Sequence, residues 1–262
     1  MSMELGRERI IHRSRDEFGE LTITDGDFFR TLYFGNRDKQ SCMLLGQPHI
    51  LTLKYTQVMA SALMFKRHPE RVLVLGLGGG SLPKFFLHAC PQARVEVVEN
   101  RPAVIRLAHE FFQVPRDHPR LRVIQDDGEA FVGKLAGDKA YDMMFVDIFD
   151  STGPASALSR EDFLSACYDG HLSEDGVLCL NLWNRTVDDF EQRFRRLGQL
   201  FPVRPLKLVL ERVNSNVLVF VLRDPARLAD LAGLRPRALA LQQELGIKSL
   251  EHLRWLRQQN AV

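Results

Sequence analysis

No two cysteines in this sequence form a CxxC pair, and none is spaced with a histidine as metal ligands usually are. The four that occur, Cys42, Cys90, Cys167 and Cys179, are scattered. That argues against a zinc site, or any metal site built on them, and for reduced thiols in a cytoplasmic protein. No apolar run approaches the length of about eighteen residues that a membrane-spanning helix needs. The opening residues MSMELGRERIIHRSRDEF carry too many charges for a signal peptide. Long basic runs are missing and the formal net charge is only +2, so neither nucleic acid nor membrane is an expected partner. Internal repeats and low-complexity linkers are absent as well. What remains is a 262-residue chain, 45% hydrophobic and 26% charged, long enough for one large domain with a small appendage.

The most informative stretch is Arg71 to Asn100. Val72–Leu75 is an apolar run of a length suited to a buried parallel strand. Gly76, Gly78, Gly79 and Gly80 follow, then a predicted helix from Leu82 to Ala89 with Pro83 in its first turn. A second apolar run, Val95–Val98, ends on Glu99, 19 residues beyond the last glycine. Strand, glycine turn, helix, strand and acid is the layout of a nucleotide-binding βαβ unit. The glycines let backbone pass close to a ligand, and the acid accepts ribose hydroxyls. The pattern does not name the nucleoside.

Around this unit the sequence alternates strands and helices. Residues 1 to about 52 read as a small antiparallel sheet, with strands at Glu20–Thr24, Arg30–Phe34 and Ser41–Leu45. Tyr55 to Phe65 is helical, with an apolar stripe that suits core packing. Further strands are expected at Leu121–Ile124, Tyr141–Asp147 and Gly176–Leu182, with helices at 102–112, 129–135, 160–172 and 187–200. Val203–Val209 and Asn216–Leu222 read as a closing antiparallel pair. The fold class is therefore α/β, a doubly wound, Rossmann-like sheet. The closing pair favours the methyltransferase-like variant. The expected division is a small N-terminal β domain at 1–54, a nucleoside-binding catalytic domain at 55–222 and a C-terminal helical appendage at 223–262. His88 and His109 fall on predicted helices in surface or structural roles.

In an open α/β sheet the ligand lies beyond the carboxyl ends of the strands. Four strands bring polar chemistry to that edge: the glycine loop, Glu99, Asp127 with Gly128, and Asp147 with Asp150. Any one acid alone also suits a helix N-cap, and Asp126 is assigned that role or simple solvation. Together they make a negative cleft that suits a cation, such as a sulfonium nucleoside or a polyamine, and would repel a pyrophosphate.

These residues resemble the polyamine aminopropyltransferases, the spermidine synthase family, over roughly residues 14 to 222. The family's GGGDGG motif is matched by Gly76-Leu77-Gly78-Gly79-Gly80-Ser81. Its ribose-binding Glu corresponds to Glu99, and the Asp of its GD motif to Asp127. Its DxxD motif is Asp147-Ile148-Phe149-Asp150, followed by Gly153-Pro154-Ala155. Its Tyr before the nucleotide fold is Tyr55, and Gln40 lies where the N-terminal domain offers a Gln. The chain departs from the pattern at Gly79, where the family has an Asp that contacts the aminopropyl amine. It departs also at Thr56, at Arg101 in place of a second acid, and in lacking a PxYPSG-like stretch after Asn181.

The resemblance implies transfer of an aminopropyl group from decarboxylated S-adenosylmethionine to an amine such as putrescine, releasing methylthioadenosine. Asp147 would be general base, helped by Tyr55. Asp150 and Gln40 would hold the amine, and Gly76, Gly78, Gly80, Glu99, Asp127 and Gly128 the nucleoside. The donor is a co-substrate, no cofactor stays bound, and the sulfonium activates its own carbon without a metal. A homodimer is also implied. Two alternatives remain open on the sequence: a methyltransferase using intact S-adenosylmethionine, and a non-catalytic nucleoside- or polyamine-binding relative.

Overall fold

The computed structural model describes residues 8–35, 38–135, 141–150, 153–154, 156–184, 186–211, 215–227 and 231–260. The chain opens with a four-stranded antiparallel meander, β1 (Arg9–Asp16), β2 (Gly19–Asp25), β3 (Phe29–Phe34) and β4 (Asp38–Leu44). β1 is an addition to the three strands expected. Its sequence, RIIHRSRD, is mostly polar and its residues are exposed or half-buried, so apolar alternation does not mark it. The register of β3 against β4 slips between Leu32 and Tyr33, whose partners are Ser41 and Lys39. Gln40 is thus the extra residue of a β-bulge.

The helix α1 (Lys54–Ala60) tightens into a 3-10 turn at Ser61–Met64, and the central sheet begins. Its strands are β5 (Arg71–Leu75), β6 (Arg94–Glu99), β7 (Leu121–Gln125), β8 (Tyr141–Val146), β11 (Leu172–Asn184), β12 (Leu206–Val209) and β13 (Ser215–Leu222). Their spatial order is β12-β13-β11-β8-β5-β6-β7. The five from β11 to β7 are parallel, and β13 and β12 run antiparallel at the other end, as the closing pair was expected to do. A short hairpin, β9 (Phe149–Asp150) with β10 (Gly153–Pro154), follows β8.

One face of the sheet packs against α1, α2 (Ser81–Ala89), α3 (Pro102–Phe111), α7 (Arg235–Leu245), α8 (Ser249–Gln259) and the apolar side of the N-terminal meander. The other face packs against α4 (Gly128–Lys134), α5 (Glu161–Ser165) and α6 (Val187–Leu200). The helix expected at 160–172 is there, but it changes character: α5 passes into a π-helical turn at Ala166–Gly170. Pro225–Arg227 is a 3-10 turn, and the rest of the helix-prone segment around 228–230 lies outside the described residues.

Two contacts hold the outer parts to the sheet. Arg101, only 6% exposed, reaches Asp16 with both Nε (3.1 Å) and Nη2 (2.7 Å) and lies over the rings of Phe18 and Phe34. The residue standing in place of a family acid therefore ties the meander to the end of β6. At the opposite edge, Asn260 exchanges two hydrogen bonds with the Lys207 backbone (2.8 and 2.7 Å), and Gln259 does the same with Val209 (2.7 and 3.2 Å). Two side-chain amides thereby cover the free edge of β12, which would otherwise present unpaired backbone groups.

Candidate active site

The sheet order sets four strand ends side by side: Asp147 after β8, the glycine loop after β5, Glu99 at the end of β6 and Asp127 after β7. Backbone bonds lock them together, Gly76 N to Val98 O (2.8 Å) and Asp147 N to Leu75 O (2.9 Å). Gly76 has φ +99°, and a Cβ there would lie 2.2 Å from the Asp147 carbonyl oxygen. Only glycine fits, because both the left-handed backbone and the approach of β8 forbid a side chain. Gly80 is the left-handed N-cap of α2, and a Cβ on it would strike Val114 at 2.2 Å. On Gly78 a Cβ would stand 3.9 Å from the Gln40 carbonyl oxygen, which puts the bulge of β4 over the loop. Gly128 is buried, but a Cβ there would make only ordinary contacts at 3.7 Å and beyond.

Glu99 is 9% exposed. Its carboxylate accepts the backbone N–H groups of Leu77 and Arg101, each at 3.0 Å, so it grips the loop from beneath. Burial pushes its pKa up, and the two N–H donors and Arg101 pull it back. Asp127 is exposed and accepts from Ala130 N at 2.8 Å, which makes it the N-cap of α4. Of the two roles expected for Asp126, cap or solvation, the cap falls to Asp127. Asp126 instead accepts from Lys134 and from the Asp127 backbone. Of two adjacent acids, the one with extended backbone directly before the helix takes the cap.

Asp147 follows directly on β8 at the carboxyl edge of the sheet. Part of its surface stays accessible, yet it is surrounded deeply enough that desolvation pushes its pKa up to about 6, with a smaller push from the charge of Glu99. Asn181 Nδ2 donates to it at 2.7 Å, and the Tyr55 hydroxyl also bonds it; both pull the pKa back down. The Tyr55 hydroxyl lies 3.3 Å from the Gln40 carbonyl oxygen too. It has one proton, so it serves one of these acceptors at a time. Burial and Asp147 together raise the Tyr55 pKa well above that of an ordinary phenol, and Tyr55 stays protonated. Asp150 pairs through its backbone with Gly153 in the hairpin after β8; its side chain lies outside what the structure describes.

Asp147, Tyr55, Glu99, the glycine loop and the Gln40 backbone therefore meet at one place, while Asp127 stands at its rim. Four further residues of the site are not apparent from the sequence. Asn181 reads as one polar residue in an apolar strand, VLCLNLW; a fully buried amide is the signal that it has a polar partner. Ser41 and Phe112 fill the space beside Gly79, where a Cβ would lie 2.6 Å from Ser41 Oγ and 2.8 Å from the Phe112 ring. Lys84, 6% exposed, donates from Nζ to the carbonyls of Gly79 (2.9 Å) and Phe112, and burial lowers its pKa to about 7. Thr56, the other departure in this region, turns its hydroxyl back to the Leu53 carbonyl at 2.8 Å. Among the described residues no group of three or more His, Cys, Asp or Glu side chains is arranged to hold a metal ion, and no helix is long and apolar enough to cross a membrane.

The chain is similar to known proteins in sequence and in fold. Residues 53–230 match the spermine/spermidine synthase domain model. The polyamine aminopropyltransferase of Chromobacterium violaceum is 32% identical over 241 residues, 92% of this chain and 90% of the relative. The crystal structure of spermidine synthase from Thermotoga maritima shares the fold, with a TM-score of 0.72, 20% identity, and coverage of 95% of this chain and 84% of that one. Human methyltransferase-like protein 13, solved in complex with SAH, superposes on 72% of this chain and 93% of its own, with a TM-score of 0.60 and 26% identity. A glycine loop held by a strand-end glutamate, a tyrosine-bonded aspartate one strand away and a family model spanning most of the chain agree: the chain belongs to the spermine/spermidine synthase family.

Proposed function

We propose that this chain is an aminopropyltransferase, moving an aminopropyl group from decarboxylated S-adenosylmethionine to an amine such as putrescine and releasing methylthioadenosine. The observation that carries the reading is Asp147, a half-buried carboxylate with its pKa raised to about 6, hydrogen-bonded by Tyr55 one strand away from the Glu99-held loop. Glu99 takes the ribose, Gly76, Gly78 and Gly80 give the nucleoside its backbone path, and Asp127 and Gly128 flank the adenine. Asp150 and Gln40 hold the amine. The division into residues 1–54, 55–222 and 223–262, the homodimer and the cytoplasmic setting belong to the same proposal.

The acceptor amine is mostly protonated at neutral pH, as a lysine would be. Asp147 takes its proton, and the freed lone pair attacks the carbon beside the sulfonium. As the N–C bond forms the C–S bond breaks, and its electron pair stays on sulfur as the thioether of methylthioadenosine. Asp147 then gives its proton to solvent. A base that titrates near the working pH suits this exchange. Fixing amine, carbon and sulfur in line lowers the entropic barrier, and the negative edge favours the cationic donor.

A second reading is favoured by the loop at Gly79. Lys84 holds the Gly79 carbonyl from inside the fold, and at Gly79 itself the loop carries no acid to hold the donor's amine, which leaves room for a donor that keeps its carboxylate. Incubation with each donor decides. Methylthioadenosine formed with an aminopropylated amine supports aminopropyl transfer; S-adenosylhomocysteine formed from intact S-adenosylmethionine supports methyl transfer instead.

A further inference from the structure

Asp147 is approached by two amides arranged in line on neighbouring strands. Asn181 of β11 donates to it at 2.7 Å, and Asn216 of β13 donates to the Asn181 carbonyl at 3.0 Å. Asn181 faces Leu218 across the antiparallel pair, so Asn216 is its diagonal neighbour on the same sheet face. Chemistry fixes the direction of both bonds. An ionised carboxylate only accepts, so Asn181 turns its NH2 to Asp147 and its carbonyl to Asn216, which must offer its own NH2.

We propose that Asn216 and Asn181 are positioning residues, a polarised relay that holds the Asp147 carboxylate ionised and in one orientation for proton transfer from the amine. The proposal rests on the reading of Asp147 as general base. Other groups face Asp147 from each element around it: the Tyr55 hydroxyl from α1, Glu99 from the end of β6 and the Cys179 thiol from β11. Glu99 opposes ionisation. Cys179 is held neutral by burial and by the charge of Asp147 itself. Tyr55 divides its single proton between Asp147 and Gln40. Asn181 is therefore the donor committed to Asp147, and Asn216 leaves it no other orientation. A buried amide pair serving only the packing of β11 on β13 would leave the titration of Asp147 where it is.

The test follows that titration in the unliganded protein. The C=O stretch of the protonated carboxyl, identified by its loss in Asp147→Asn, is read by infrared difference spectroscopy against pH. In Asn181→Leu the midpoint is expected to rise from about 6 by about one pH unit, the size of effect one lost hydrogen bond to a carboxylate has. In Asn216→Leu it rises by less, in the same direction. The acid limb of kcat/KM for aminopropyl transfer moves with it, and the rate on the alkaline side falls too, more in Asn181→Leu than in Asn216→Leu, because the carboxylate loses its fixed orientation. Asn216 is half-buried and its replacement leaves Asn181 in place, so that variant carries the test if Asn181→Leu does not fold. A midpoint unchanged in Asn216→Leu, whatever the rate, overturns the relay. A midpoint that moves in a protein showing no aminopropyl transfer upholds the relay and sinks the reaction assigned to the site.

Discussion

Asp147 carries opposite demands at the scale of a single residue. As the proposed base it must be ionised, yet burial and Glu99 both favour its neutral form. Its folded pKa of about 6 lies above the ordinary 3.8, so the folded protein binds a proton between those values more readily than the unfolded chain does. Stability should therefore fall as pH rises from about 4 to about 6 and stay lowered above that. Replacing Asp147 with Asn removes the penalty. At pH 8 the variant should be more stable than the parent by on the order of 1–2 kcal/mol in urea unfolding, a figure discounted for the residue's partial exposure. Its turnover should drop by roughly 100- to 10,000-fold, the usual worth of a general base, with methylthioadenosine binding retained in calorimetry. A less stable variant, or one with near-normal turnover, would remove Asp147 from the centre of the site. Asp147, Tyr55 and Glu99 are legible in the sequence because strand-end and helix-start positions project to a common edge. Asn181 is not, since its partner Asn216 lies 35 residues on and becomes a neighbour only through the β11–β13 register.

At the scale of elements, the glycine loop separates two kinds of glycine that look alike in sequence. Gly76 meets the β8 backbone, and Gly128 meets only side chains at van der Waals distance. Gly76→Ala should cost at least about 2 kcal/mol and abolish nucleoside binding, because neither its left-handed φ nor the Asp147 carbonyl yields. Gly128→Ala should stay within about 1 kcal/mol of the parent and still bind. Thermal melts with and without methylthioadenosine compare them directly, and equal losses would refute the loop geometry. The strands β5, β6 and β8 announce themselves as short apolar runs because both sheet faces are covered. β1 does not, having little to bury, and the bulge at Gln40 is a matter of register that no residue pattern in β4 specifies.

At the scale of the whole molecule, the site is made where the meander meets the central sheet. Gln40 and Ser41 come from one, Gly78 and Gly79 from the other, and Arg101 with Asp16 pins the two together. Asp16→Ala would strand a guanidinium that is 8% exposed in its side chain. The expected cost is about 2–3 kcal/mol in chemical unfolding, with a weaker donor KM as the meander loosens; no change in either would mean the pair contributes little. The departure at Arg101 is visible in the sequence, but its use as a docking bolt depends on a partner 85 residues earlier. Aminopropyl transfer on this fold, as proposed above, turns on Asp147 as base. Its most direct test is the pH dependence of methylthioadenosine release from decarboxylated S-adenosylmethionine and putrescine, for the parent and Asp147→Asn. The expected result is methylthioadenosine and spermidine in equal amounts, a rate that rises through about pH 6 in the parent, and almost no product from the variant. Methylthioadenosine without spermidine, or a variant that follows the parent across the whole profile, would contradict it.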